Sequence, residues 1–236
     1  HMCHYRWHYE ENLDSAGKRF AKLFVPKTIQ RITWLRTFFL NKATNTFKSR
    51  MSKRLWVVGS NDVTRISIEE SFKNLIELLD KHLEKRPYIF GSRPSIADFA
   101  LWGHIYNANN DVTAHELIDE HVPKLNDWIE RMLDPKETGD FESWHELKPT
   151  LLPLIKEEIG ETFLPWVTAN NDAVKNNKDE LSISLKGRPF KHKVTSVQRF
   201  HAKSFGLLME HYKSVSQNQE LEEALVETGV KRYLNA

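Results

Sequence analysis

The sequence predicts an all-α protein on three observations. Apolar residues recur at three- and four-residue steps along most of its 236 positions. Alternation of period two occurs in one short stretch. Seven Trp and thirteen Phe supply side chains large enough to make thick helix-helix interfaces. At 40% hydrophobic residues the chain can bury a sizeable core. With 28% charged residues and a mean hydropathy of −0.56, it reads as a soluble chain without a membrane span. The His1-Met2 start resembles a cloning remnant, and no secretion signal follows it. A lone cysteine, Cys3, excludes an internal disulfide and fits a reducing cytoplasm.

The elements follow in order. Tyr5, Tyr9, Leu13, Ala16, Phe20 and Phe24 form the stripe of a first amphipathic helix, stopped by Pro26. Ile29, Ile32, Leu35, Phe39, Ala43, Phe47, Met51 and Leu55 continue it in a second, with Asn41, Thr44 and Asn45 as points where it could break. Gly59 to Asp62 reads as a turn. Ile68, Phe72, Leu75, Ile76, Leu79 and Leu83 form the cleanest stripe, with Glu69 and Glu70 near the positive end of the helix dipole. An extended connection over Arg86–Gly91 leads to Ser95 and Asp98, spaced as a capping box, with Pro94 and Phe99 in the staple positions. That helix is expected to carry Phe99, Trp102, Ile105 and Tyr106 on one face. Pro123 opens another with Leu125, Trp128, Ile129 and Met132 apolar. Leu152, Ile155, Ile159, Phe163 and Val167 mark a further helix that begins near Pro153 and kinks near Pro165. Leu181, Ile183 and Leu185 before Lys186-Gly187 predict one hairpin within 181–191. Val194, Val197, His201, Phe205, Leu208 and Tyr212 form the last long helix, and Leu221 to Leu225 a short one.

Charge is unevenly spread. Between Ser15 and Asn61 there is no Asp or Glu, and eleven Lys and Arg give +11, leaving −9 for the rest of a chain whose total is +2. Such a segment, 18–54 at its cationic limits, suits an anionic partner or an acidic surface. Its aromatics, Trp34, Phe38, Phe39, Phe47 and Trp56, complete the helical stripe or its flanks and are expected in the core. Nucleic acid is therefore the less favoured partner, and the pI of 8.5 is low for a dedicated binder.

The stretch Arg86-Pro-Tyr-Ile-Phe-Gly-Ser-Arg-Pro-Ser-Ile-Ala-Asp-Phe-Ala-Leu-Trp-Gly-His-Ile105 resembles the most recognisable segment of cytosolic glutathione transferases. There too a long helix ends in a basic residue, and an extended loop leads to Ser or Thr, two residues, Asp, and a buried helix. Pro123-Lys-Leu-Asn-Asp-Trp-Ile-Glu-Arg-Met132 is similar to the helix that follows in the family. The opening Cys3 to Glu11 and the long tail from Lys148 resemble a group of bacterial transferase-like proteins. The resemblance implies a glutathione transferase C-terminal-like helical bundle over 3–135, with a helical extension packed on it over 136–236. It also implies the hydrophobic-substrate half of a transferase, cytoplasmic and dimeric. Glutathione and the activating Ser, Tyr or Cys come in that family from an N-terminal thioredoxin-like domain. No such pattern precedes Tyr5, so no catalytic residue is carried over and the chain alone is not expected to be catalytic. The alternative is a stand-alone helical binding module, or less favourably an anion or nucleic-acid binder through 18–54.

Tyr5, Arg6 and Tyr9 are the candidate ligand contacts: the family's first helix lines the substrate cleft, and an arginine flanked by tyrosines suits an anionic or aromatic molecule. Tyr9 serves equally well as the start of the core stripe. Ser95 and Asp98 read as a structural cap, not as part of a hydrolytic triad. His4 and His8 stand one turn apart but lack a third ligand in metal-binding spacing, so no metal is expected. His201 reads as a core histidine bonded to a backbone carbonyl, and His104 as a core or inert residue in preference to one facing a pocket. Cys3 reads as a small buried residue, and Asp111 as a turn residue with no partner.

Overall fold

The computed structural model describes residues 2–24, 32–51, 54–215 and 218–234. The expected stop at Pro26, the stripe position Ile29 and the cations Lys27, Arg31 and Lys53 lie outside the described residues. Within them the fold is helical with a two-stranded hairpin, as the sequence predicts.

The first helix is not one regular α-helix. α1 (Met2–Arg6) passes through a π-helical turn, Trp7–Glu11, into α2 (Leu13–Phe24). In that turn Asn12 N donates to Trp7 O at 2.7 Å, an i→i−5 bond. A π turn advances each residue less around the axis than an α turn, so the buried side rotates. Cys3 and Trp7 are buried before and within it, Ala16 and Ala21 after it, while the expected stripe residues Tyr5, Tyr9 and Leu13 are half-buried and Phe20 is exposed.

α3 (Thr33–Met51) runs unbroken through Asn41, Thr44 and Asn45. The reason is packing on α2: Thr44 and Phe47 are buried, and Thr44 Oγ1 donates to Gly17 O at 3.4 Å. A Cβ at Gly17 would stand 3.1 Å from the Thr44 methyl, so glycine lets the two helices approach. The aromatics of this segment correct the sequence reading. Phe47 is buried, but Trp34 is 73% exposed, Phe38 58%, and Phe39 and Trp56 are also exposed.

After a short 3-10 turn, Leu55–Val58, α4 (Arg65–Leu83) buries Ile68, Phe72, Ile76, Leu79 and Leu83. α5 (Ile96–Asn109) begins at the expected capping box, and α6 (Val112–His121), α7 (Pro123–Arg131) and α8 (Trp144–Leu154) follow. α7 buries Leu125, Trp128 and Ile129 and has Pro123 in its first turn. Asp80 on α4 caps it, accepting from Lys124 N at 2.7 Å and Leu125 N at 2.9 Å. The staple expected at Phe99 does not close. Phe99 is 51% exposed and Tyr106 is exposed, and the buried face of α5 consists of Asp98, Ile105 and Ala108.

α8 continues through a second π-helical stretch, Ile155–Phe163, into α9 (Leu164–Lys175). Again the stripe shifts: Ile159 and Phe163 are exposed, whereas Leu151, Leu154, Gly160, Leu164 and Val167 are buried. β1 (Glu180–Leu185) pairs antiparallel with β2 (Arg188–Lys193). Lys186 and Gly187 both have positive φ, 47° and 78°, the two-residue turn that matches strand twist. Leu181, Leu185, Phe190 and His192 form the inward face of the hairpin. α10 (Ser196–Val215), α11 (Gln219–Glu227) and α12 (Lys231–Leu234) complete the chain. α10 buries Phe205 and Tyr212 as expected, with Gln198 and Ala202 beside them, while Val194 precedes the helix and Leu208 is exposed.

One core cluster draws on α1, α4 to α9, the hairpin, α10 and α12, from Cys3 to Leu234. Arg86 ties α4 to α8: its Nε donates to Glu142 at 2.9 Å, and its Nη atoms donate to His82 O at 3.0 Å, Thr150 Oγ1 at 3.0 Å and Glu146 O at 3.2 Å. His82 Nε2 donates to Ile89 O at 2.7 Å, which leaves Nδ1 as acceptor for Thr150 Oγ1 at 2.8 Å. That arrangement fits a neutral imidazole, and burial lowers the pKa of His82.

Candidate functional site

Tyr5 and Arg6 end α1, and His8 and Tyr9 follow in the π turn. Arg6 is only 2% exposed, and its guanidinium is held by Glu10, Glu69 and Glu11, the last at 2.9 Å. Arg65 joins the same network through Glu11 at 3.3 Å and Glu69 at 3.5 Å. Burial alone would lower the pKa of Arg6, but Glu69, Glu10 and Glu11 outweigh it and raise it. The structure thus places the expected ligand arginine inside an ion network with Glu10, Glu11 and Glu69.

Tyr5 and Tyr9 do meet, with ring centroids 5.0 Å apart in an edge-to-face arrangement. Tyr9 then reaches Phe47 at 5.9 Å, and Phe47 reaches Phe20 at 4.6 Å. Burial and the neighbouring Tyr5 raise the pKa of Tyr9, so its hydroxyl stays protonated at neutral pH.

Tyr9, Phe20 and Phe47, but not Tyr5, floor a cleft of about 920 Å³ between the π turn, α2 and α3. Phe39 completes the apolar wall, and Arg19, Lys42, Arg50 and Arg54 rim it, with no carboxylate in the lining. Arg19 is anchored, donating to Asn110 O and approaching His8 Nδ1 at 3.5 Å. Lys42, Arg50 and Arg54 have no carboxylate partner among the described residues. An apolar floor under three uncompensated cations accommodates a hydrophobic molecule that carries an anionic group. The basic segment of the sequence signalled the cations, but it did not show that α2 and α3 would close around them.

Beside the cleft lies a residue that sequence reasoning missed. Asp111 is fully buried and caps α6, accepting from Thr113 N at 3.2 Å. It also accepts from the Asn12 side-chain amide at 2.5 Å, and His8 Nδ1 lies 3.2 Å from its other oxygen. It joins the π turn to α6, which overturns its reading as an unpartnered turn residue. An Asp directly before an apolar-periodic stretch was the available signal.

The Ser95–Asp98 box has the expected geometry and a larger role. Asp98 Oδ2 accepts from Ser95 N at 2.9 Å and Ser95 Oγ at 2.7 Å, and Ser95 Oγ accepts from Asp98 N at 3.4 Å. Asp98 Oδ1 accepts from Ile89 N at 2.9 Å and Trp128 Nε1 at 3.1 Å, joining the extended connection and α7 to the cap. Ser143 and Glu146 form a second box at the start of α8 that the same spacing announces in the sequence.

Residues 45–131, from late α3 through α7, match the family of the glutathione S-transferase C-terminal domain. No curated protein and no solved structure matches the chain. The match includes both segments that resemble glutathione transferases in sequence, and the helical architecture agrees with it. Relative to this glutathione S-transferase-like part, the cleft straddles a boundary: Phe47, Arg50 and Arg54 lie inside, while Tyr9, Phe20 and Phe39 lie before it.

Cys3 is buried, and burial pushes the pKa of its thiol far above the ordinary range. No group of three His, Cys, Asp or Glu among the described residues could hold a metal ion. His104 is exposed on α5. His201 is half-buried with its ring edge-to-face on Trp166 at 5.3 Å, a ring contact in place of the expected carbonyl bond. No described helix is long and apolar enough to cross a membrane.

Proposed function

We propose that this chain is the hydrophobic-substrate half of a glutathione S-transferase-like protein of the reducing cytoplasm. In this reading the chain binds the substrate, and a thioredoxin-like domain or partner subunit supplies glutathione and thiol activation; a dimer fits the same scheme. The observation that carries the reading is the cleft floored by Tyr9, Phe20, Phe39 and Phe47 and rimmed by Lys42, Arg50 and Arg54, next to a matched C-terminal-type domain. Its chemistry selects amphipathic anions. The apolar face of α5, where Ile96 is 87% exposed beside Phe99 and Tyr106, supports a partner on that side.

The test compares two probes with the same rings: 1-anilinonaphthalene-8-sulfonate and the uncharged N-phenyl-1-naphthylamine. The sulfonate should bind with Kd of about 10–100 μM. The Arg50→Ala/Arg54→Ala variant should weaken it by roughly tenfold, the sum of two exposed charge contacts, and leave the neutral probe within about twofold. Equal effects on both probes would refute the cationic rim.

A separate observation favours a second reading, a nucleic-acid-binding module. Trp34 and Phe38 are exposed one turn apart on α3, an arrangement able to stack bases. Salt-sensitive binding of a labelled oligothymidylate that is lost in Trp34→Ala would favour it over the transferase-like reading.

A further inference from the structure

A second cavity, of about 640 Å³, lies between α4 and the hairpin. Its walls come from α4, the second π-helical stretch, the hairpin and α10, so most of it is built by the part of the chain beyond the matched segment. One end is aromatic, lined by Phe72, Phe163, Trp166, Phe190 and His201. The other end is acidic.

The acidic end is unevenly compensated. Glu158 is buried and fully served: Ser71 Oγ donates to it, Asn74 Nδ2 donates at 2.7 Å, and Lys186 Nζ lies 3.2 Å away. Glu157 beside it receives the same Asn74 amide at 2.9 Å but has no cationic partner among the described residues. The π geometry brings these consecutive glutamates round to one side more closely than an α-helix would. Arg188, the other cation of the lining, is paired with Glu70 at 2.8 Å. The polar end therefore carries one carboxylate charge more than its cations neutralise.

One further atom is unsatisfied. Ser67 Oγ, in the cavity lining, is buried and has no hydrogen-bond partner. A buried hydroxyl without a partner costs free energy unless a ligand or water meets it.

We propose that this cavity is a ligand site for a small aromatic molecule bearing an ammonium group, with its ring among Phe72, Phe163, Trp166 and Phe190 and its ammonium on Glu157. The choice of ammonium over a neutral hydroxyl follows from charge. An ammonium neutralises Glu157 and donates to its carboxylate, while the attached ring packs on the aromatic side chains of the lining. A carboxylate in the same position would meet Glu157 at close range. The site is independent of the cleft between α2 and α3 and selects the opposite charge.

The experiment uses 4-fluorophenethylamine and 3-(4-fluorophenyl)propionate, followed by fluorine NMR in titrations with the whole chain. The amine should bind with Kd below about 1 mM. Glu157→Gln, which keeps an acceptor for Asn74 at a half-buried position, should weaken the amine at least about fivefold, the scale of a partly exposed charge contact. The propionate should bind more weakly than the amine to the parent chain, and Glu157→Gln should narrow that difference by relieving the repulsion between like charges. Phe163→Leu, at an exposed position of the wall, should weaken the amine with Glu157 intact and report on the ring subsite separately. Absence of amine binding at millimolar concentration, or an amine affinity unaltered in Glu157→Gln with an unchanged melting curve, would overturn the proposal. Failure of the sulfonate test for the cleft leaves these outcomes unaffected.

Discussion

Two buried aspartates show what a single carboxylate does in this fold. Asp98 accepts four hydrogen bonds, and truncation would strand the Ile89 amide and the Trp128 indole inside the core. Asp98→Ala should cost at least about 3 kcal/mol, since each stranded buried donor costs about 1–3 kcal/mol. Asp111→Ala should also destabilise, by about 1–3 kcal/mol, because it frees the Asn12 amide and removes the cap of α6. Asp119→Ala, at an exposed position, should stay within about 0.5 kcal/mol. Urea midpoints of the three variants check this ordering, and an Asp111 variant matching Asp119 would contradict the link between the π turn and α6. Asp98 was legible in the sequence because its partner Ser95 stands three residues away. Asp111 was not, because His8 and Asn12 lie about a hundred residues away and only the folded chain brings them together. Arg6 was misjudged for the same reason: Glu69, on a different helix, completes its network.

The histidines set a pH dependence. Burial, then His8, lowers the pKa of His4 to about 4, and burial lowers those of His82, His192 and His201. A folded-state pKa below the unfolded value means that the unfolded chain takes up protons first. The resulting stabilisation is complete above pH of about 6.5 and is lost as pH falls towards 4. The urea midpoint should therefore drop between about pH 7 and 4.5, with a shallower drop in His4→Gln. Glu146, its pKa lowered by Ser143, contributes in the same direction but in the carboxylate range below this window. A midpoint that stays level or rises on acidification would contradict the buried neutral histidines.

At the level of elements, the stripes that were read correctly belong to helices of regular pitch. α4 and α7 bury the residues their spacing announces, because nothing interrupts the 3.6-residue repeat. Two of the misread stripes, through Tyr9 and through Ile159, pass through π turns, where the repeat lengthens and the buried face rotates. The hairpin was legible from alternation and the Lys186-Gly187 turn. α3 was misread twice, in its breaks and in its aromatics, since its contacts are made at Thr44 and Phe47 against α2 and its remaining rings face outward. Gly17 is the contact that sets the spacing of this helix pair. Gly17→Leu should push α3 away from α2, destabilise the pair by about 1–3 kcal/mol and abolish sulfonate binding in the cleft. Retained binding with an unchanged Kd would show that the ligand does not sit between these helices.

At the level of the whole molecule, a glutathione S-transferase C-terminal-type segment is enclosed by parts that give it two cavities of opposite character. The basic run of the sequence becomes the rim of the first, and the acidic remainder supplies Glu157 and Glu158 to the second. That separation of charge was visible in the sequence. Its division between two cavities was not, because the second is walled by elements far apart in the chain. The most direct test is the crystal structure of the chain with 1-anilinonaphthalene-8-sulfonate. The account predicts the naphthalene ring over Phe20, Phe39 and Phe47, with the sulfonate within hydrogen-bond reach of Lys42, Arg50 or Arg54. A ring bound elsewhere, with the cleft between α2 and α3 holding none, would contradict it.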